Sequence, residues 1–388
     1  MYISTLYKIF IYLFVYLNYN LNNKPLTFTN MATLYKKSLT ILLAILLFCG
    51  FSKATEYTVG TGGTYTTLAA AFTAINGGSP SGTVDLAIIS DLTISSTLSI
   101  TVNVANTYVT IYPKTAARTI ISGSTAPASL INLSGAKNIK FDGRINGSGA
   151  SGSLTIENTS SAASSSTINF LNSAQNNTIQ YCKVKGNGTL GIINFSTSTS
   201  GSGNDNNLIS NNEITCSTSR PVSAINSELG NTTRSNSGIT IDNNKIYNFI
   251  NLSSSSYGIN IGNYSSDFTI TNNSFYETGS ASSAAGIYQI INVNSLNGSK
   301  FNISNNFIGG NAVNSGGTWT KTGNTNDFYA IKDLFSTSLS TFELLILPLS
   351  LSPLVAAHPQ LHCLHQLNLT HLSQSLTHRL PTMNDSHD

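Results

Sequence analysis

The stretch Gly238-Ile-Thr-Ile-Asp-Asn-Asn-Lys-Ile246 recurs in variation along the chain. Copies of its core begin at Ile209, Ile241, Ile270 and Ile303, and a degenerate copy, Ile179-Gln-Tyr-Cys-Lys-Val184, precedes them. Successive first isoleucines are 30, 32, 29 and 33 residues apart. Because a fixed period of this size is the signature of stacked repeats, the chain is predicted to form a solenoid.

Each repeat predicts one corner of a parallel β-coil. Ile239-Thr240-Ile241 alternates apolar and polar residues, which indicates a strand with one buried face. Two asparagines follow, and asparagine tolerates the left-handed backbone that a tight corner needs. We expect Asn244 to lie inside the coil with this left-handed geometry and Asn243 to lie on the outer side of the turn. Ile246 then points inward again.

One coil cannot bury its own apolar face, so the repeats must stack. Stacking places one asparagine of each repeat above the next, where amide side chains can hydrogen-bond along the row. Cys182 takes this position in the degenerate copy. The predicted ladder consists of Asn212, Asn244, Asn273 and Asn306.

This combination of repeat and ladder resembles the right-handed parallel β-helix of the pectin-lyase-like superfamily, in its secreted bacterial surface type. The resemblance covers about Thr55 to Asp333 and implies an all-β solenoid. Its motifs are typical of a fold rather than of a reaction.

One amphipathic helix is predicted before the repeats, from Thr67 to Ile75. Its apolar positions follow helical spacing, and Thr66 is the expected N-cap. A single helix in front of a β-solenoid is interpreted as a cap that covers the exposed edge of the first coil.

Composition excludes some classes of function. Charged residues make up 9% of the chain and the net charge is +3, so no nucleic-acid footprint is present. The four cysteines, Cys49, Cys182, Cys216 and Cys363, have no paired metal-site spacing. Cys182 and Cys216 fall on neighbouring coils, where they form a disulfide or remain two small buried thiols. No metal and no cofactor is predicted.

The two ends of the chain differ from the repeats. Residues 1–30 are expected to be a non-translated extension, and 31–54 a signal peptide with Lys36 and Lys37 before an apolar run. The mature protein is then a β-helix domain at 55–334 that is secreted or displayed on the cell surface, without a transmembrane anchor. The segment 335–388 contains all six histidines and no glycine, and is expected to be an aberrant or disordered tail.

The charged residues with the clearest repeat pattern are Lys183, Glu213 and Lys245, which occupy the same repeat position in three successive coils. They should face outward, about 4.8 Å apart along the stack. Such a row can bind an acidic sugar or position the catalytic base of a lyase. It can equally be a surface ion ladder in which each pair contributes about 0–1 kcal/mol.

The other charged candidates do not predict a catalytic site. Asp242 has Ser210 and Thr271 as its expected stack neighbours, and Asp142, followed by Gly143 and Arg144, is interpreted as local turn chemistry. The paired-Asp and Gly-His-Gly motifs of the hydrolases in the resembled superfamily are absent. A histidine tract at 358–365 superficially resembles metal ligands, but it lies in the tail.

These observations favour a non-catalytic adhesin, matrix component or carbohydrate-binding scaffold, whose partner is a polysaccharide or cell-surface glycan. The alternative is a polysaccharide lyase or glycoside hydrolase acting on an acidic polysaccharide. A groove that combined several carboxylates with Arg or Lys would favour the enzyme.

Overall fold

The structure is a computed structural model that describes residues 54–103, 107–228, 230, 233–251, 254–279, 286–318 and 327–333, and the backbone of 341–346. The expected extension, the signal peptide up to residue 53 and the histidine tract lie outside the described residues.

The described chain winds into a parallel β-solenoid of about eight coils, each with up to three strands. This confirms the all-β solenoid. The first face contains β1 Thr55–Val59, β2 Thr83–Ile88, β5 Tyr108–Pro113, β8 Ile139–Asp142, β11 Thr178–Gln180, β14 Leu208–Ser210, β17 Thr240–Asp242, β20 Thr269–Thr271 and the start of β23 Asn302–Ile308.

The second and third faces follow in the same way, again with every strand pair parallel. The second face contains β3 Leu92–Ile94, β6 Arg118–Ser122, β9 Leu154–Asn158, β12 Cys182–Gly186, β15 Glu213–Cys216, β18 Lys245–Tyr247, β21 Ser274–Tyr276 and the end of β23. The third face contains β4 Leu98–Ile100, β7 Ser129–Ser134, β10 Ser166–Leu171, β13 Ile193–Phe195, β16 Ser223–Ser227, β19 Ser256–Ile261, β22 Tyr288–Val293 and β24 Phe328–Asp333.

The core consists of columns of like apolar side chains at equivalent repeat positions. On the first face, in-register pairing stacks five isoleucines, all with zero exposure. Burying one such side chain contributes roughly 1.5–3 kcal/mol, and this gain is available only when a neighbouring coil covers it. The column is Ile179, Ile209, Ile241, Ile270 and Ile303.

The corner between the first and second faces is left-handed at the first asparagine of each pair. Asn243 has a φ of 53°, whereas Asn244 is not among the residues with positive φ. The expectation that Asn244 carries the left-handed geometry is therefore wrong. Because Asn243 takes the strained turn position, Asn244 is left free to direct its side chain into the coil. The equivalent left-handed residues are Tyr181, Asn211, Asn272 and Asn305.

Helix α1, Leu68–Asn76, precedes the coils and lies against β4. Its N-cap is Thr67 rather than the predicted Thr66, because the Thr67 side chain accepts a hydrogen bond from the Ala70 amide. At the other end, Asn76 bonds to the Ser99 carbonyl and the Thr101 amide of the edge strand region. The helix thus satisfies backbone groups at the edge of the third face.

The strand β25, Thr341–Ile346, pairs in parallel with β23. It is the one part of the expected tail, 335–388, that the structure describes. Its sequence, Thr-Phe-Glu-Leu-Leu-Ile, suits a strand, and β23 offers it the edge of the preceding coil.

Cys182 and Cys216 are free thiols, so the disulfide alternative is not realised. Cys182 is buried as expected, and burial raises the pKa of its thiol. Cys216 is only half-buried, because it lies at the end of β15 where the chain leaves the second face.

Candidate functional site

The inner corner of the coils carries the four asparagines of the predicted ladder, each at most 1% exposed. Asn244 Oδ1 accepts from both the backbone N and Nδ2 of Asn212 at 3.0 Å. Asn244 Nδ2 donates to Asn273 Oδ1 and to the Ile209 carbonyl, each at 2.9 Å. Asn273 bonds to Asn306 in the same way. With every amide group satisfied by its neighbours, this ladder holds the corner together and offers nothing to a ligand.

The outer side of the second face has a different character, and we call it the charged–aromatic surface. In-register pairing of β9, β12, β15, β18 and β21 lines up two columns of outward side chains. The first column is Thr155, Lys183, Glu213, Lys245 and Ser274, and the second is Glu157, Lys185, Thr215, Tyr247 and Tyr276.

The structure brings the predicted row Lys183, Glu213 and Lys245 together on this surface. Lys245 Nζ lies 3.1 Å from Glu213 Oε1, and Lys183 Nζ lies 3.9 Å from Glu213 Oε2. All three side chains are between 39% and 48% exposed, so water screens their attraction and each pair contributes little to stability. Within the described residues, the Lys183 ammonium makes no hydrogen bond and remains able to donate.

Tyr247 and Tyr276 stand beside this row as a stacked pair. Their ring centroids are 4.9 Å apart and their planes differ by 11°. Burial raises the pKa of Tyr247 to about 12, and the Glu213 carboxylate adds to the shift; burial also raises the pKa of Tyr276 to about 12. Both rings are therefore neutral at physiological pH. Gly309, which follows Ile308 on the next coil, brings no side chain to the position beside Tyr276.

A second ion pair lies further along the surface. Lys185 Nζ contacts Glu157 Oε1 and Oε2 at 2.9 and 3.0 Å, and Ser217 Oγ also bonds to this carboxylate. These groups are more buried than the predicted row, with Glu157 13% and Lys185 24% exposed. The pair is internally satisfied and closes one end of the surface.

Asp142 is fully buried at the end of β8, and its contacts extend beyond the local turn that the sequence predicted. Arg144 holds both of its oxygens, with Nε 2.8 Å from Oδ1 and Nη2 2.6 Å from Oδ2. Lys140 and, from the next coil, Gln180 also reach Oδ2. Burial alone would raise the pKa of Asp142, but the hydrogen bonds outweigh it and hold the pKa at about 2.

The position of Gly143 explains why the chain can bring Arg144 back to Asp142. A Cβ on Gly143 would lie 1.8 Å from the Tyr181 carbonyl oxygen, so only glycine allows the two backbones to approach so closely. Arg144 then lies over the Tyr181 ring, 4.4 Å from its centroid. This cluster is saturated by its own partners and joins two coils.

Asp242 has Ser210 and Thr271 as its strand-pair neighbours, as predicted, so no second carboxylate stacks on it. Its Oδ1 accepts from Thr271 Oγ1 at 2.6 Å and from Asn272 Nδ2 at 2.8 Å.

A second asparagine ladder lies on the outer side of the third face, and it was not among the features predicted from the sequence. The bonds Asn194 to Asn169, Asn226 to Asn194, Asn260 to Asn226 and Asn292 to Asn260 measure 2.8–3.1 Å. The signal was present as Ile-Asn followed by an apolar residue in most coils, for example Ile168-Asn-Phe170 and Ile259-Asn-Ile261. We call this row the outer asparagine ladder.

Among the residues that the structure describes, no group of three or more His, Cys, Asp or Glu side chains could hold a metal ion. The same residues include no helix long and apolar enough to cross a membrane. No family model, no curated protein and no solved structure matches this chain.

Proposed function

We propose that this protein is a secreted or cell-surface β-solenoid that binds polysaccharide through its charged–aromatic surface, as a non-catalytic adhesin, matrix component or scaffold. The observation that carries the proposal is the stacked pair Tyr247 and Tyr276 beside the row Lys183, Glu213 and Lys245. Neutral aromatic rings bury apolar area with little loss of conformational freedom, and the lysines supply directional donors.

The arrangement supports binding better than catalysis. Hydrolysis of a glycosidic bond needs two carboxyl groups on either side of the bond. On this surface, Glu157 is held by Lys185 and Ser217, and Glu213 lies between Lys183 and Lys245. Each of these two carboxylates is thus already engaged by the protein's own cations or donors. The lyase or hydrolase alternative therefore has less support than the scaffold.

The proposal is tested by titrating the domain with soluble polygalacturonate, alginate, xylan and mixed-linkage β-glucan. We expect at least one to bind, and Tyr276→Ala to weaken that binding about tenfold, because a stacked aromatic anchor is lost. Tyr108→Ala is the matched control, since Tyr108 is 50% exposed on β5 of the first face. No binding by any polymer, or equal effects of both variants, would contradict the proposal.

The same mixtures distinguish scaffold from enzyme. Release of reducing ends or of unsaturated products, lost in Glu213→Gln, would establish the lyase or hydrolase alternative. We expect neither product at any time point at which binding is saturated.

A further inference from the structure

The outer side of the first face is a regular array of mostly neutral polar side chains across five coils, with Leu208 and Asp242 as the exceptions. Strands β11, β14, β17, β20 and β23 pair without a register shift. The outward column at the start of these strands is Thr178, Leu208, Thr240, Thr269 and Asn302, and the column at their ends is Gln180, Ser210, Asp242, Thr271 and Ser304. We call these ten residues the hydroxyl–amide surface.

The hydroxyl–amide surface carries fewer charged residues than the charged–aromatic surface. Asp242 is the one ionisable residue among the ten, and Thr271 and Asn272 already donate to its Oδ1. The left-handed turn residues add a flanking column of amides, in which Asn243 Nδ2 donates to Asn211 Oδ1 at 2.7 Å. Such a surface favours an uncharged ligand over an anionic one, because an anion would lose its hydration and meet no cation among these ten residues.

The lateral hydrogen bonds hold several of these side chains in place before any ligand arrives. Ser304 Oγ donates to Asn302 Oδ1 at 3.2 Å, and Thr271 Oγ1 to Asp242 Oδ1 at 2.6 Å. By strand geometry, the outward positions repeat about every 4.8 Å along the solenoid and about every 6.7 Å across it, and Ser210 is the one of the ten that is buried. A preorganised array of this kind costs little conformational entropy on binding.

A rigid ligand gains most from such an array. Each neutral hydrogen bond exchanged with water contributes only about 0.5–1.5 kcal/mol, and a flexible polymer would lose that gain in ordering its own chain. A solid whose chains are already ordered has no such cost. The side chains range in length from serine to glutamine, so they suit hydroxyl groups at several heights rather than the even plane of an ice crystal.

We propose that the hydroxyl–amide surface binds an ordered, insoluble, uncharged polysaccharide. This inference rests on the proposed function, since it names a second ligand class for a polysaccharide-binding scaffold, but it uses a different face. The protein then holds a neutral solid with its first face while its second face remains available to a soluble chain.

The test is co-sedimentation of the full chain with microcrystalline cellulose and with powdered chitin. We expect binding that persists at 1 M NaCl, since screening does not act on neutral contacts. Thr240→Lys should weaken it about tenfold by placing an ammonium group against the solid. Thr93→Lys is the matched control, because Thr93 is also a solvent-facing strand threonine between two buried apolar residues, but lies in β3 of the second face, outside both named surfaces.

Each outcome decides the inference. No sedimentation with either solid, or equal loss in both variants, overturns it. Sedimentation that Tyr276→Ala abolishes and Thr240→Lys preserves also overturns it, and leaves the proposed function standing. If the protein solution shows thermal hysteresis, a gap between its melting and freezing points, and Thr240→Lys removes it, the surface binds ice instead. Thermal unfolding within about 2 °C of the unmodified protein confirms that each variant is folded.

Discussion

The second and third faces of the solenoid use the same stacking principle with opposite results. On the third face, asparagine lies on asparagine from Asn169 to Asn292, and each amide nitrogen after the first bonds to the oxygen of the preceding asparagine. Asn194 is fully buried and Asn226 is 8% exposed. On the second face, stacked residues differ except for Tyr247 on Tyr276, and Lys183 and Tyr276 keep donors and ring surface that their neighbours do not use. Columns of identical amides therefore hold the coils together, whereas columns of unlike residues remain able to bind.

Interrupting the inner ladder is expected to have the largest effect on stability. Asn244→Leu removes four hydrogen bonds and takes from the buried backbone N–H of Asn212 its acceptor inside the coil. We expect a loss of about 3 kcal/mol in the free energy of unfolding, measured with denaturant.

Its neighbour Asn243 is the control. Asn243 is exposed and left-handed, so Asn243→Leu should cost about 1 kcal/mol through backbone strain. Asn243→Gly should cost less than Asn243→Leu, because glycine adopts a φ of 53° without strain. Equal losses in Asn244→Leu and Asn243→Leu would show that the register of the coil is wrong.

The second prediction concerns the buried carboxylate of Asp142. Its pKa falls from 3.8 to about 2 on folding. A depressed pKa contributes stability above the unfolded value, and this contribution is lost as the pH falls from about 4 to about 2. Asp142→Asn should therefore remove about 2 kcal/mol at neutral pH and flatten the loss of stability across that window. An unchanged pH profile of unfolding in the variant would contradict this account.

The third prediction addresses the outer asparagine ladder. Asn226→Leu removes the donor to Asn194 Oδ1 and the acceptor of Asn260 Nδ2. We expect a loss of about 1 kcal/mol, smaller than for Asn244→Leu, because fewer hydrogen bonds are lost and water is closer. A loss as large as that of Asn244→Leu would show that the two ladders carry the fold equally.

The smallest effect on stability is expected at the centre of the charged row. Glu213→Gln should change the free energy of unfolding by less than about 1 kcal/mol, since all three charged side chains are well exposed. Raising the salt concentration should have a similarly small effect. A large loss would mean that the row is structural and not a binding feature.

The features that could be predicted from the sequence are those that recur with the repeat. The isoleucine column and the inner asparagines recur at a fixed position in four repeats, so Asn212 to Asn306 could be placed together without a structure. The outward direction of Lys183, Glu213 and Lys245 followed from the same alternation. Which of two adjacent asparagines turns left-handed did not follow, because both residues tolerate that backbone.

Contacts between coils of different sequence were harder to predict. The partners of Asp142 include Gln180, which belongs to the next coil and has no equivalent in the other repeats. Predicting that Tyr247 stacks on Tyr276 would have required the strand register, in which Lys245 pairs with Ser274 and each tyrosine follows two residues later. The outer asparagine ladder was predictable, since Ile-Asn recurs in the third strand of most coils, but its spacing varies more than that of the Asn-Asn pair.

The most direct test measures stability and binding in the same two variants. Lys183→Ala combined with Lys245→Ala should weaken binding of the best soluble polysaccharide about tenfold and leave the thermal midpoint within about 2 °C. Asn226→Leu should lower the thermal midpoint by about 2–4 °C and leave the affinity unchanged. Loss of binding in Asn226→Leu with full binding in the lysine variant would contradict the assignment of binding to the second face and of support to the third.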